Sequence, residues 1–137
     1  NRSAIISIPG NRRKDSSLQV LQVHKAHFVD NLEDEHLPDG IYVCHATLDQ
    51  TLNDDSWINK EIDAVIVGPD CSVSDVLSIR DIACRQSVPL ILQTLKFDWK
   101  AKEIAFESEA DDYHIGFLDH NFIKRILLIK RVKAFLK

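Results

Sequence analysis

The sequence predicts a doubly wound α/β domain, in which a central parallel sheet of five strands is covered on both sides by helices. Five short apolar runs rich in β-branched residues occur along the chain, and amphipathic stretches separate them. This alternation is typical of strand and helix layers around a parallel sheet. The 137 residues are 45% hydrophobic with only four Gly and four Pro, which suits one compact domain rather than a disordered chain or a repeat array.

The predicted strands are bounded by turn residues. Pro9-Gly10 ends the first apolar run, Pro38-Asp39-Gly40 precedes the second, and Gly68-Pro69 follows the third. The five strands are predicted at residues 3–8, 41–46, 62–67, 88–93 and 112–116.

Five helices are predicted from the spacing of apolar residues and from N-cap residues. The first places four side chains on one face, namely Leu18, Leu21, Phe28 and Leu32. The next three cover about residues 48–60, 74–86 and 99–108. Candidate N-caps of the first three helices are Ser16 or Ser17, Thr47, and Ser72 or Ser74. The last helix begins near residue 121 and offers five side chains to the core, namely Phe122, Ile126, Ile129, Val132 and Leu136.

Charge and cysteine content exclude several classes of protein. The 17 Lys and Arg residues against 21 Asp and Glu give a net charge of -4, which argues against a nucleic-acid-binding protein. Cys44, Cys71 and Cys84 form no C-x-x-C motif, so neither a disulfide framework nor a zinc knuckle is expected. We expect a cytoplasmic chain, since no apolar stretch is long enough to span a membrane or resembles a signal peptide.

The two ends of the sequence predict a single domain, residues 1–137, excised from a longer chain. The first residue is Asn1 rather than methionine, and residues 131–137 end within a helical pattern that has no capping residue. We therefore expect an output domain on the carboxyl side.

In doubly wound folds, ligands bind at the carboxyl ends of the strands. These ends are predicted at residues 9–12, 46–48, 68–71, 94–97 and 116–118. The loop at residues 9–13 has one glycine and none of the spacings that bind phosphate groups, which argues against a bound mononucleotide. A flavodoxin-like small-molecule binder is therefore the least favoured of our alternatives.

The second half of the chain resembles a response-regulator receiver domain of the CheY-like type. Residues 61–67 are similar to the third receiver strand, residues 79–94 to the third helix and fourth strand, and residues 110–113 to the start of the fifth strand. The first half matches in its order of elements. The resemblance implies a flavodoxin-like three-layer sandwich.

The chain departs from the family at each position that carries its chemistry. Receivers transfer a phosphoryl group to an aspartate after the third strand, hold Mg²⁺ with an acidic pair after the first strand, and contact the phosphate with a lysine after the fifth. The resemblance puts the acceptor on Gly68, the acidic pair near residues 9–11 and the lysine on Gly116. It therefore implies a pseudo-receiver that is not an enzyme and has no metal or cofactor. Asp70 is the alternative acceptor if the domain is a divergent receiver that is still phosphorylated.

The resemblance also implies which residues serve regulation. Thr94 and Tyr113 match the hydroxyl and aromatic switch positions of receivers. The fourth helix, fifth strand and fifth helix would form a homodimer or output interface through Trp99, Lys102, Phe106, Lys124, Arg125 and Arg131. Neither nucleic acid nor membrane is an expected partner. Residues 126–137 also resemble regulatory segments that precede bacterial sugar transferases, which gives an alternative function in polysaccharide synthesis.

Several polar residues have simpler interpretations. His24 and His27 lie three apart on the predicted first helix, but no third ligand is suitably spaced, so we interpret them as surface residues. Cys44 and His45 are adjacent on a strand and should point to opposite faces, which argues against a catalytic dyad. Asp111-Asp112 and the basic residues of the last helix are interpreted as solvated.

Overall fold

The computed structural model describes residues 18–25 and 37–136, and it confirms the doubly wound α/β fold. Within these residues, five strands form one parallel sheet in the order β2-β1-β3-β4-β5. The strands are β1 (Leu18–His24), β2 (Ile41–Thr47), β3 (Ala64–Val67), β4 (Leu90–Thr94) and β5 (Asp112–Ile115). The order reverses between β1 and β3, so the carboxyl ends of these strands are where the fold places a binding crevice.

Four α-helices are described: α1 (Leu48–Asn53), α2 (Val73–Ala83), α3 (Trp99–Glu107) and α4 (His120–Leu136). The hydroxyl groups of Thr47 and Ser72 accept hydrogen bonds from backbone N–H groups and open α1 and α2 within capping boxes. The carboxylate of Asp98 caps α3 in the same way. Of the two candidate caps for α2, the structure therefore selects Ser72.

The prediction for residues 18–24 was wrong, because they form strand β1 and not the start of a helix. Leu18 and Val20 are buried on one face of the sheet, and Leu21 and Val23 are buried on the other. A strand that is covered on both faces is apolar at most positions, so a helical spacing such as Leu18 and Leu21 also occurs within it. The predicted strand at residues 3–8, the caps Ser16 and Ser17, and the predicted core residues Phe28 and Leu32 lie outside the described residues.

The second predicted helix is shorter than expected. Helix α1 ends at Asn53, and a 3₁₀ helix follows at Asp55–Asn59. The Asp54 side chain separates the two because it accepts a hydrogen bond from the Ser56 N–H group, at 3.1 Å. Trp57 is fully buried in the core, and its indole N–H donates to the Thr51 carbonyl oxygen at 3.0 Å.

Two apolar cores lie on the two faces of the sheet. Helices α1, α2 and α3 cover one face, and α4 covers part of the other through Phe122 and Ile126. The burial predicted for Val132 and Leu136 was wrong, since they are 48% and 75% exposed. Lys130 and Lys133 of α4 pair with Asp63 and Asp111, which precede β3 and β5. Within the described residues, no helix is long and apolar enough to cross a membrane.

Candidate functional site

The end of β1 changes which residues lie at the receiver-like site. Because β1 ends at His24, the position of the family's acidic pair falls on His24 and Lys25. The prediction that this position lies at residues 9–11 was therefore wrong, since those residues precede the strand. Neither His24 nor Lys25 carries the carboxylate that Mg²⁺ prefers.

Lys25 places a positively charged ammonium group at the carboxyl end of β1. Its Nζ donates to Asp75 Oδ2 at 2.5 Å, which joins the end of β1 to the first turn of α2. This hydrogen bond raises the pKa of Lys25. Burial alone would raise the pKa of Asp75, but the hydrogen bonds from Lys25 and Ser72 outweigh burial, and the net result is a lowered pKa. The ion pair therefore stays charged at neutral pH.

Gly68 ends the segment where receivers carry the phosphoacceptor. It follows β3, and its carbonyl oxygen accepts from the Cys71 N–H group at 3.3 Å in the turn toward α2. A Cβ atom added at Gly68 would lie 3.2 Å from Asp70 Oδ1, the end of an exposed side chain. Asp70 is thus the carboxylate nearest to the acceptor position on this loop.

Gly116, to which the resemblance assigns the lysine position, has a backbone conformation that disfavours other residues. Its φ is +103°, in the region that L side chains rarely adopt. Its N–H donates to the Thr94 carbonyl oxygen at 2.7 Å, and its own carbonyl oxygen accepts from Gln93 Nε2 at 2.8 Å. The backbone conformation at position 116 therefore also disfavours a lysine there.

The structure brings Thr94 and Tyr113 together. Thr94 Oγ1 and Tyr113 Oη are 2.8 Å apart and share a hydrogen bond between β4 and β5. The Asp98 N–H group donates to the same Tyr113 oxygen at 3.0 Å. The Tyr113 phenol therefore connects β4 and β5 to the beginning of α3. A movement of the Thr94 side chain would act on that helix through this hydrogen bond.

A pair of histidines at the ends of β1 and β2 was missed by the sequence analysis. His24 Nε2 and His45 Nδ1 are 3.0 Å apart, and the two ring centroids are separated by 5.2 Å. Burial lowers the pKa of His24 to about 4, with the neighbouring His45 adding to the shift and Asp70 opposing it. Burial also lowers the pKa of His45. Both rings are therefore neutral at pH 7.

The earlier pairing of His24 with His27 on one helix was wrong, because His24 is the last residue of a strand. His27 lies outside the described residues. Within a single sequence, nothing indicates the register that sets Gln22 opposite His45 and so brings His24 near it.

The thiol groups of Cys44 and Cys71 are not activated. Cys44 lies in the core on one face of β2, while the adjacent His45 meets His24 on the other face. Burial raises the pKa of both thiols to about 11. At neutral pH they stay protonated, so neither serves as a nucleophile.

The interpretation of Asp111, Asp112 and the basic residues of the last helix as solvated holds only in part: Asp111, Lys124 and Arg131 are exposed, but several of these residues also make specific contacts. Asp111 accepts from the Leu90 N–H group at 2.8 Å and pairs with Lys133 at 3.2 Å. Asp112 pairs with Arg125 of α4. These contacts fasten α4 to the amino-terminal edge of the sheet, on the side opposite the candidate site.

An exposed aromatic surface lies on α3, where the sequence predicted an interface. Trp99 and Phe106 are 69% and 84% exposed. Lys102 Nζ lies 5.4 Å from the centre of the Trp99 ring. A cavity of about 330 Å³ is lined by Trp99, Lys102, Glu103, Phe106 and Glu107. Lys124 and Arg131 are exposed on α4, but Arg125 is held by Asp112 and by the Tyr113 carbonyl oxygen.

Comparison with solved structures identifies the fold among doubly wound α/β proteins. A protein described as a response regulator from Chloroflexus aurantiacus matches with a TM-score of 0.57 and 20% identity, over 84% of this chain and 98% of that one. A CheY-like receiver domain protein from Methanospirillum hungatei matches with a TM-score of 0.57 and 14% identity, over 89% and 100%. The receiver domain of a Francisella response regulator gives 0.52 and 18%, over 85% and 98%.

The chain therefore has the fold of response-regulator receiver domains. No protein-family model matches the sequence, and no curated protein matches it. At these identities the likeness establishes the fold, and the chemistry has to be argued from the residues of this chain.

Proposed function

We propose that this chain is a receiver-fold regulatory module that works without phosphorylation and acts by contacting other proteins. The observation that carries the proposal is the replacement of all three chemical groups at one edge of the sheet. Glycine stands at the acceptor position, His24 and Lys25 stand at the acidic pair, and Gly116 stands at the lysine. Proteins with this fold that bear the name response regulator support a role in signalling.

Phosphoryl transfer needs a nucleophile, a metal ion and a cation to stabilise the charge on the transferred group. Lys25 is already paired with Asp75, so its charge is partly neutralised. Neither His24 nor Lys25 supplies the carboxylate oxygens that Mg²⁺ prefers, which disfavours Mg²⁺ at this position. Asp70 offers an exposed carboxylate beside the acceptor position. A divergent receiver that uses Asp70 is the alternative.

We expect no change in mass when the purified protein is incubated with acetyl phosphate and Mg²⁺, as measured by intact mass spectrometry. We also expect no binding of beryllofluoride. Gly68→Asp should remain unmodified as well, because it restores the acceptor alone and crowds only the end of the Asp70 side chain.

An adduct of one phosphoryl group on the wild-type protein would contradict the proposal. If that adduct disappears in Asp70→Asn and persists in a matched variant of an exposed carboxylate, Asp49→Asn, the protein is a divergent receiver that uses Asp70.

The proposed partners are an output domain in the same chain and a second copy of the module, in the cytoplasm. A bacterial sugar transferase, suggested by the resemblance of residues 126–137, is one such output domain. The surface of α3 supports a homodimer because it combines exposed apolar area with Glu103 and Glu107. Lys124 and Arg131, exposed on α4, carry the complementary charge.

Trp99→Asp and Phe106→Asp are each expected to convert a dimer to a monomer in sedimentation velocity. A carboxylate at either position would be desolvated in the apolar centre of the interface. Ser74→Asp adds the same charge on the exposed face of α2 and should leave the sedimentation coefficient unchanged. Equal mass for wild type and both α3 variants would show that the interface lies elsewhere.

A further inference from the structure

The two histidines at the ends of β1 and β2 have a geometry that suits a metal ion. We propose that His24 and His45 form a binding site for a divalent transition-metal ion such as Zn²⁺ or Cu²⁺. The proposal does not depend on the function proposed above. It rests on the convergence of His24 Nε2 and His45 Nδ1 from neighbouring parallel strands.

The distance between the two nitrogens is close to that of two ligands on one metal ion. Zinc binds imidazole nitrogen at about 2.0–2.1 Å in tetrahedral geometry, which places two such nitrogens about 3.3 Å apart. His24 Nε2 and His45 Nδ1 are 3.0 Å apart. A movement of about 0.3 Å, within the reach of two side-chain torsions, replaces the shared hydrogen bond by coordination of both nitrogens.

Gln22, two residues before His24 on the same face of β1, carries a buried amide oxygen. Its Nε2 donates to Gln93 Oε1 on β4 at 3.2 Å, and its Oε1 has no hydrogen-bond partner among the described residues. A buried acceptor without a donor costs free energy, and a bound cation or its water ligand would satisfy it.

The site is open. In the part of the chain that the structure describes, no three His, Cys, Asp or Glu side chains converge on one point that could hold a metal. Two imidazoles, with water completing the shell, predict a dissociation constant on the order of micromolar rather than the tight binding of a structural zinc site. Asp70, which attracts the protonated form of His24, adds negative charge nearby.

The ligand types also determine which metal ions bind. Imidazole suits Zn²⁺, Ni²⁺ and Cu²⁺, with Cu²⁺ bound most tightly, whereas Mg²⁺ requires oxygen ligands. The position at which receivers carry an acidic pair would thus bind a different class of metal ion.

The test is isothermal titration of the untagged protein with Zn²⁺, Cu²⁺ and Mg²⁺ at pH 7.5. We expect one equivalent of Zn²⁺ and of Cu²⁺ to bind, with Cu²⁺ tighter, and no heat from Mg²⁺. His24→Gln and His45→Gln should each weaken binding by about tenfold or more. His120→Gln changes an exposed histidine in the first turn of α4 and should leave affinity unchanged.

Electron paramagnetic resonance of the wild-type Cu²⁺ complex gives a second readout that needs no variant. Hyperfine splitting from two equivalent imidazole nitrogens is expected. The proposal is overturned if the copper spectrum lacks nitrogen splitting, or if His24→Gln and His45→Gln, folded by circular dichroism, bind with unchanged affinity. It is also overturned if His27→Gln or His36→Gln abolishes binding while the two strand variants retain it.

Discussion

Replacing Trp57 by alanine is expected to lower the free energy of unfolding by about 3–5 kcal/mol. The indole ring is 0% exposed and is the largest of the fully buried side chains in the described residues. Truncation leaves a cavity beneath α1 and α2 and removes the hydrogen bond from the indole N–H group to the Thr51 carbonyl oxygen. Urea unfolding followed by circular dichroism measures the change.

Phe135→Ala is the control because it removes a large aromatic side chain from an exposed position, 87% accessible, near the end of α4. Its effect on the free energy of unfolding should stay within about 0.5 kcal/mol. Trp57→Phe keeps most of the apolar volume and should lie between wild type and Trp57→Ala. Equal destabilisation by Trp57→Ala and Phe135→Ala would contradict the burial of Trp57.

Strands β2 to β5 could be predicted from sequence because each is a short apolar run between turn residues, such as Gly40 before β2 and Gly68 after β3. Strand β1 could not, because Leu18 and Leu21 also fit one helical face. Only the pairing of β1 with both β2 and β3 shows that residues 18–24 form a strand and not a helix, and that pairing is a long-range property of the fold.

Because the first strand was predicted at the wrong residues, one part of the candidate site was also predicted at the wrong residues. Gly68 and Gly116 follow strands that were predicted correctly and Thr94 ends β4, so these three lie at the expected carboxyl edge. Tyr113 lies within β5 and reaches Thr94 through its side chain. The acidic-pair position depended on β1 and moved from residues 9–11 to His24 and Lys25. The contacts between strands, His24 with His45 and Thr94 with Tyr113, depend on register and side-chain direction, which a single sequence does not contain.

The two edges of the sheet use charge differently. At the amino-terminal edge, Asp63, Asp111 and Asp112 pair with cations of α4 and hold that helix on the sheet. At the carboxyl edge, Lys25 pairs with Asp75, and the neighbouring histidines are neutral. At this edge the chain thus has one ion pair, two neutral histidines and the carboxylate of Asp70.

Stability is expected to fall as the pH decreases from about 6.5 to about 4, because His24 resists protonation in the folded state. Its pKa is lowered from 6.5 to about 4, chiefly by burial and then by His45. In this range the unfolded chain binds a proton that the folded protein does not, so acid favours unfolding. Above pH 6.5 the contribution is fully present, and below pH 4 it is fully lost. The ring is half-exposed, so solvent screening reduces the total to about 1–2 kcal/mol.

Urea unfolding at half-unit intervals between pH 7.5 and pH 4 measures this dependence, and His24→Gln is the control. Glutamine does not titrate, so the variant should show a shallower loss of stability between pH 6.5 and pH 5, whatever its stability at pH 7.5. Carboxylates are protonated mainly below pH 5, so their contribution to the loss of stability falls largely outside the interval in which the histidine acts. An identical slope for wild type and variant over pH 6.5–5 would mean that His24 titrates alike in the folded and unfolded states. In that case the burial that lowers the pKa of His24 does not persist in solution.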